Sequence, residues 1–292
     1  MDYLAPTTVE EALQALAEHP AAKVFAGATD LIPQIRAGRP EPEVLVDLKK
    51  IDRLTAVSNT DGSWTVGAAT PTALLTENEA FVKAFPGLAE AAGLIGSDQI
   101  QNRSSLGGNL CNASPAADSV PAMIINDVRA VIASPSGTRT VPAADIATGP
   151  GSTSLASGEF IIEFEIDKPP ANTADAYLRM IPRTEMDIAV VGAGARITLD
   201  DEGNCAEASI VLGAVAPTAV KVPDAEAALS GNPIGDESLA AVAAAASAAC
   251  NPIDDKRGTV AYRKQVAGVL AKRAVLIAAE RAANRSNQGD PS

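Results

Sequence analysis

Apolar positions recur at helical spacing between residues 9 and 19. Val9, Ala12, Leu13 and Leu16 share one face, Thr7 and Thr8 precede it as N-cap candidates, and Glu10 and Glu11 stand in the first turn. This predicts a surface amphipathic helix. Residues 23–26 form a short apolar run that breaks at Gly27 and reopens at Thr29, Asp30 and Leu31 into a helical stretch ending near Gly38, the order of strand, tight loop and helix. Residues 44–47, 54–57 and 64–66 read as short strands, with Asp61-Gly62 turning between the last two. The start of the chain thus predicts a small α/β unit.

Residues 72–95 are helical in pattern, interrupted at Pro86-Gly87 and ended at Gly96. The stretch QIQNRSSLGGNLCNASPAAD (99–118) has no period and predicts a long irregular loop, a kind usually functional in compact proteins. Apolar residues resume at 120–125, and strands are expected at 130–133, 139–141 and 160–166. The Pro- and Asn-rich segment 168–175 reads as a boundary. Beyond it, 176–180, 189–199 and 206–215 predict an antiparallel meander with a hairpin at 200–204, followed by alanine-rich helices at 239–249 and 259–283. The polar tail from 284 is expected to be disordered.

Composition narrows the function. With 23 Lys plus Arg against 36 Asp plus Glu, the net charge of -13 repels phosphate backbones and anionic membrane surfaces, so nucleic acid is excluded as an expected partner. The longest apolar tract, 239–249, is too short for a membrane span. One histidine, His19, and three scattered cysteines, Cys111, Cys205 and Cys250, make no metal cluster, CxxC pair or disulfide framework. The first residues carry no secretory-signal pattern, and a cytoplasmic location is expected.

Two glycine loops carry the candidate chemistry: Ala26-Gly27-Ala28-Thr29-Asp30 and Ser105-Leu106-Gly107-Gly108-Asn109. Glycines let successive backbone N–H groups converge on an anion, and a helix opening after the first loop adds unpaired donors for phosphate oxygens. Ser104, Ser105, Asn109, Asn112 and Ser114 flank the second pair of glycines, with Asp118 just beyond, which suits a ligand rich in phosphate and ribose. The competing readings are an ordinary turn for either loop and a helix cap for Asp118. Neither loop has the spacing of a Rossmann fingerprint or a P-loop, and a serine hydrolase lacks its G-x-S-x-G. Cys111 reads as a space-filling residue, and His19 as a solvated helix end. Arg179, Arg183, Glu185 and Asp187 form a charged cluster, either beside an anionic ring or partner subunit or as surface ion pairs.

AGATDLIPQIRAG (26–38) and IGSDQIQNRSSLGGNLCNASPAADSVPAMI (95–124) resemble the two FAD pyrophosphate loops of the flavin subunit of molybdenum hydroxylases, the xanthine dehydrogenase and carbon monoxide dehydrogenase family. The likeness continues through EFIIEFEI and R-x-E-x-D-I to the C-terminal helices, covering nearly the whole chain. It implies an α+β fold: an FAD-binding unit of the vanillyl-alcohol oxidase type in two subdomains, 1–57 and 58–172, then a C-terminal domain of the carbon monoxide dehydrogenase flavoprotein type, 173–285, with 286–292 as a disordered tail.

Carried over position by position, the resemblance implies that Val24, Phe25, Ala26, Gly27, Ala28, Thr29, Asp30 and Leu31, with Ser105, Leu106, Gly107, Gly108 and Asn109, wrap the diphosphate of a noncovalent FAD. It further places Asn112 and Asp118 near ribityl or ribose hydroxyls, Ile161 on the isoalloxazine, and the side chain of Arg179 at its polar edge. Many relatives carry lysine at position 179 and glycine at position 28, and some place an adenine-stacking aromatic where Ile95 stands. The partners implied are a large molybdopterin-binding subunit and a small [2Fe–2S] subunit that feeds the flavin, with an external acceptor taking the electrons. No residue of this chain is assigned a catalytic role, since such chemistry belongs to the cofactor. The cysteine-bearing insertion of the benzoyl-CoA reductase branch is absent. Two other readings compete: a self-contained FAD oxidase of the vanillyl-alcohol oxidase type, and a scaffold or sensor that keeps the fold without flavin.

Overall fold

The computed structural model describes residues 1–184 and 186–288. Chain order begins with β1 (Asp2–Leu4), α1 (Val9–Glu18), β2 (Lys23–Phe25), α2 (Leu31–Arg36) and β3 (Val44–Asp47). The strands form a parallel sheet in the order β1-β3-β2. α1 starts as its sequence predicts, with the Thr8 hydroxyl accepting the Glu11 N–H at 3.1 Å, and Ala12 and Ala15 are buried. His19 is the C-cap. The short first strand was not visible in the hydrophobic pattern, because Asp2 and Tyr3 are exposed.

The middle of the chain runs α3 (Asp52–Thr55), β4 (Val57–Thr60), β5 (Ser63–Gly67), α4 (Thr72–Thr76), α5 (Glu79–Ala84), α6 (Pro86–Gly93), α7 (Asp98–Gln101), α8 (Leu106–Cys111), α9 (Ser119–Ile125), β6 (Arg129–Ser134), β7 (Gly137–Pro142), β8 (Ala147–Gly149), β9 (Ser152–Thr153) and β10 (Phe160–Ile166). Its antiparallel sheet has the order β4-β5-β10-β6-β7. The hairpin between β4 and β5 turns on Asp61 and Gly62, with φ of 52° and 87°, as a two-residue turn of this kind requires.

Three expectations are corrected here. The strand expected at 54–57 is a helical turn followed by β4, since buried Leu54 packs its backbone against Gly67. The helical stretch 72–95 is three short helices; Asn78 restarts it by capping α5, and Pro86 occupies the first turn of α6. The irregular loop 99–118 contains α7 and α8. These are too short to stand on propensity and are held by tertiary contacts that no local pattern reports.

The last part comprises β11 (Thr173–Met180), β12 (Val191–Leu199), β13 (Cys205–Gly213), β14 (Val220–Lys221), α10 (Pro223–Leu229), α11 (Asp236–Ala249) and α12 (Val260–Gln288). The meander is antiparallel in chain order, as expected, and α12 lies across β11 and β12. Helix α12 continues beyond the expected start of the tail at 284 and 286; residues 289–292 lie outside the described residues.

Three apolar clusters form the interior. One lies within the C-terminal sheet and helices, and another under the five-stranded sheet. The third joins Val44, Val46, Ala12 and Leu54 to Val131, Ala133, Phe160 and Ile162, so the first sheet shares its core with β6 and β10. That shared core holds the loop after β2 against the loop before α8.

Candidate functional site

The two glycine loops meet. A Cβ built on Gly27 would lie 1.9 Å from the Arg103 carbonyl oxygen, so only glycine permits this backbone approach. Gly107 is pressed on another backbone: its Cβ would lie 2.5 Å from the Ala68 carbonyl oxygen, and its N–H donates to that same oxygen at 3.1 Å. Gly108 is less confined, with the nearest atom, Ser105 Oγ, at 3.3 Å. Ser105 caps α8 by accepting the Gly108 N–H at 3.0 Å.

The cleft between the loops is lined by Val24, Phe25, Ala26, Gly27, Ala28, Thr29, Asp30 and Leu31 on one side and by Ser104, Ser105, Gly108, Asn109, Cys111 and Asn112 on the other. Lys23, Gln34, Arg39 and Ile95 complete it. Among the described residues, no hydrogen bond takes up the N–H groups of Gly27, Ala28, Thr29 or Asp30. Ala28 holds φ at 57°, the left-handed conformation in which glycine is at ease and alanine is strained. Consecutive unpaired N–H groups flanked by Lys23 and Arg39 make a cradle for an anion. Asp30 is the carboxylate in this wall; partial desolvation at the cleft raises its pKa above the ordinary 3.8.

Loop geometry is fixed from behind. Lys49 Nζ donates to the Ala26 carbonyl at 2.6 Å and to Asp47 Oδ1 at 2.6 Å, and stands 4.4 Å from the centroid of the Phe25 ring. Asp47 also accepts from Tyr3 Oη at 2.7 Å. Burial pushes the Asp47 carboxyl up, but hydrogen bonds from Lys49 and Tyr3 prevail and hold it below its ordinary value. Across the cleft, Gln34 Nε2 donates to Asn112 Oδ1 at 2.9 Å, and Gln34 Oε1 accepts from Arg39.

Not every candidate residue reaches the cleft. Leu106 and Gly107 lie buried behind it. Asp118 is buried and accepts from Tyr177 Oη at 2.9 Å and Arg179 Nη1 at 2.6 Å. It occupies the N-cap position of α9 without capping it; Asn109 Oδ1 takes the Ser119 N–H and hydroxyl instead. Burial raises the Asp118 pKa and, with the Asp118 charge, lifts Tyr177 well above 10. The Arg179 side chain is 7% exposed, and its Nε has no partner among the described residues. Ile161 is buried in the core of the five-stranded sheet, where the pairing of β10 with β6 is irregular.

The expected cluster around Arg179 is divided. Arg179 turns inward to Asp118, while Arg183 pairs with Asp187 at 3.0 Å on the surface; Glu185 lies outside the described residues. Burial pushes the Cys111 thiol up to about 12, consistent with a space-filling residue. Reading the sequence missed Lys23, Gln34, Arg39 and Lys49. The visible signal was two isolated basic residues flanking a glycine loop in an acidic chain; nothing local pointed to Gln34 or Lys49.

Such a site, unpaired backbone donors on the Gly27 loop facing a second glycine loop across a cleft between an α/β unit and an antiparallel sheet, fits a nucleotide cofactor held outside the Rossmann and P-loop designs. Residues 1–169 match the family described as the FAD binding domain in molybdopterin dehydrogenase, and residues 176–278 match the CO dehydrogenase flavoprotein C-terminal domain. The xanthine dehydrogenase FAD-binding subunit of Escherichia coli O157:H7 is 30% identical over 275 residues, covering 94% of each chain. A chain of the carbon monoxide dehydrogenase of Hydrogenophaga pseudoflava, solved in a form lacking the Mo-pyranopterin moiety of its cofactor, superposes with a TM-score of 0.92 at 33% identity, over 96% of this chain and 98% of that one. Quinoline 2-oxidoreductase from Pseudomonas putida 86 gives 0.90 at 30% identity, over 97% and 98%. The chain belongs to the FAD-binding medium subunits of the xanthine dehydrogenase and carbon monoxide dehydrogenase family, a group of oxidoreductase components. Among the described residues, no helix is long and apolar enough to cross a membrane.

Proposed function

We propose that this chain is the electron-outlet subunit of a heterotrimeric molybdenum hydroxylase, assembled with a large molybdopterin-binding subunit and a small [2Fe–2S] subunit in the cytoplasm. The observation that carries it is the cleft: unpaired N–H groups on residues 27–30, basic Lys23 and Arg39, and the facing Ser105 to Asn109 loop fit a dinucleotide diphosphate. When bound, FAD would supply the redox chemistry that links the clusters of the small subunit to an acceptor such as NAD or a quinone. The protein's own part is to hold and orient. Asn112, tied to Gln34, faces the hydroxyls of the linker. Arg179, with its unpartnered Nε, and Ile161 serve the isoalloxazine end, while Asp118 sets the direction of Arg179. Units 1–57 and 58–172 bind the cofactor between them, and 173–285 forms the third unit.

The test is the absorption spectrum of the purified chain, acid release of its chromophore, and purification with its co-expressed neighbours. Releasable FAD and co-elution with molybdenum and iron–sulfur subunits are expected. A colourless chain that takes up no FAD overturns the cofactor assignment. A single chain that oxidises a substrate unaided overturns the subunit role and favours a self-contained oxidase.

A further inference from the structure

Lys49 stands behind the cleft and not among its lining residues, yet it holds the peptide on which the cradle begins. Parallel pairing of β2 with β3 sets Phe25 opposite Asp47, so the loop after β2 and the turn after β3 leave the sheet side by side. Asp47 caps that turn by accepting the Lys49 N–H at 3.0 Å, which folds the lysine back on itself. Its ammonium then has its donors engaged: Asp47 Oδ1 takes one, the Ala26 carbonyl another, and the Phe25 ring covers a third side. The side chains of Lys49 and Asp47 are only 21% and 7% exposed, so water competes weakly for these contacts.

In a trans peptide the C=O and the next N–H point in opposite directions. Fixing the Ala26 oxygen on Lys49 therefore fixes the direction of the Gly27 N–H, the first of the unpaired donors. The other side of the same residue rests on the Arg103 carbonyl, where no side chain fits. Held from both sides, the peptide has little freedom to turn its N–H away from the cleft.

We propose that Lys49 is a positioning residue for the cofactor diphosphate, acting through the Ala26 carbonyl to aim the Gly27 N–H, and not as a cation attracting phosphate. This rests on the reading that the cleft holds the diphosphate of FAD. The two roles differ in sign at Asp47. If Lys49 worked by charge, removing the neighbouring carboxylate would strengthen anion binding; if it works by position, removing the group that holds it weakens binding.

The experiment uses the full chain stripped of flavin, titrated with FAD by fluorescence quenching and with ADP as a diphosphate-bearing competitor. Lys49→Met is expected to raise the Kd of both ligands by roughly tenfold, the size of one oriented hydrogen bond. Lys49→Arg, which keeps the donor, recovers most of the affinity. Lys50→Met removes the same charge from the exposed neighbour and leaves Kd unchanged. Asp47→Asn raises Kd, and it carries the test alone should circular dichroism show Lys49→Met unfolded. Lys49→Met within twofold of wild type, or Asp47→Asn tighter than wild type, overturns the proposal while leaving the site intact. A wild-type chain binding neither FAD nor ADP overturns the site reading and this inference together.

Discussion

Gly27→Ala is the sharpest perturbation of the site. The added methyl would sit 1.9 Å from the Arg103 oxygen and 2.4 Å from its carbonyl carbon, where ordinary contact begins near 3.4 Å. The loops must therefore part by about 1.5 Å, and both colliding atoms are backbone that cannot rotate aside. Overpacking of this kind costs about 1–3 kcal/mol, and a backbone collision belongs at the upper end. The N–H groups on residues 27–30 and the Ser105 loop would no longer face one ligand at hydrogen-bond distance. Purified Gly27→Ala should carry less than about a tenth of the wild-type FAD, read as the ratio of flavin to protein absorbance, and unfold at lower urea. Gly108→Ala is the control: its methyl meets only Ser105 Oγ at 3.3 Å inside a helix, so stability should hold or rise by up to about 1 kcal/mol. Gly27→Ala with full flavin content and an unchanged urea midpoint would refute the close-approach argument.

Three further outcomes are expected. Ala28→Gly relieves a left-handed alanine at φ 57° but frees the unfolded chain, so urea unfolding should show a gain of up to about 1 kcal/mol with flavin content unchanged. Asp118→Ala leaves the Arg179 guanidinium buried and unpaired, which should cost about 3–5 kcal/mol in the same assay; Asp118→Asn combined with Arg179→Met should recover much of it. Asp30 has a pKa raised above 3.8 by burial. As pH rises from about 4 through that higher value, the folded chain holds a proton the unfolded chain has released, so Asp30 makes stability fall with rising pH. FAD affinity should fall in the same window as a carboxylate forms beside the diphosphate, and Asp30→Asn should flatten this dependence in a pH series of Kd measurements.

Much of the fold was legible because its elements are amphipathic or uniformly apolar over several residues. Helix α1, strands β3 and β10, and the meander β11 to β13 follow their hydrophobic patterns closely. Elements that escaped were short or lacked a pattern of their own. β1 exposes most of its residues and is held by pairing with β3; α7 is a single turn, and α8 occupies a Gly- and Asn-containing stretch that opens on the Ser105 cap and rests Gly107 on the Ala68 backbone.

The glycine loops were recognisable from composition and spacing, but composition assigned the glycines one shared purpose. Tertiary structure separates them: Gly27 admits the Arg103 carbonyl, Gly107 admits the Ala68 carbonyl, and Gly108 faces the cleft. Asp118 likewise looked like a sugar ligand or a cap; it does not cap α9, and it accepts from Tyr177 and Arg179, 59 and 61 residues away.

Sequence alone determined the family-bearing loops, the order of the larger elements and the absence of cluster-forming cysteines, because each is written in consecutive residues or in a count. Tertiary structure alone decided which donors stay unpaired, which glycine admits which backbone, and that Lys49 reaches the carbonyl of Ala26. The reason is physical: a hydrogen bond or a close contact depends on two groups meeting in space. In this chain the meeting partners lie 23 to 76 residues apart, joined by a core that two sheets share.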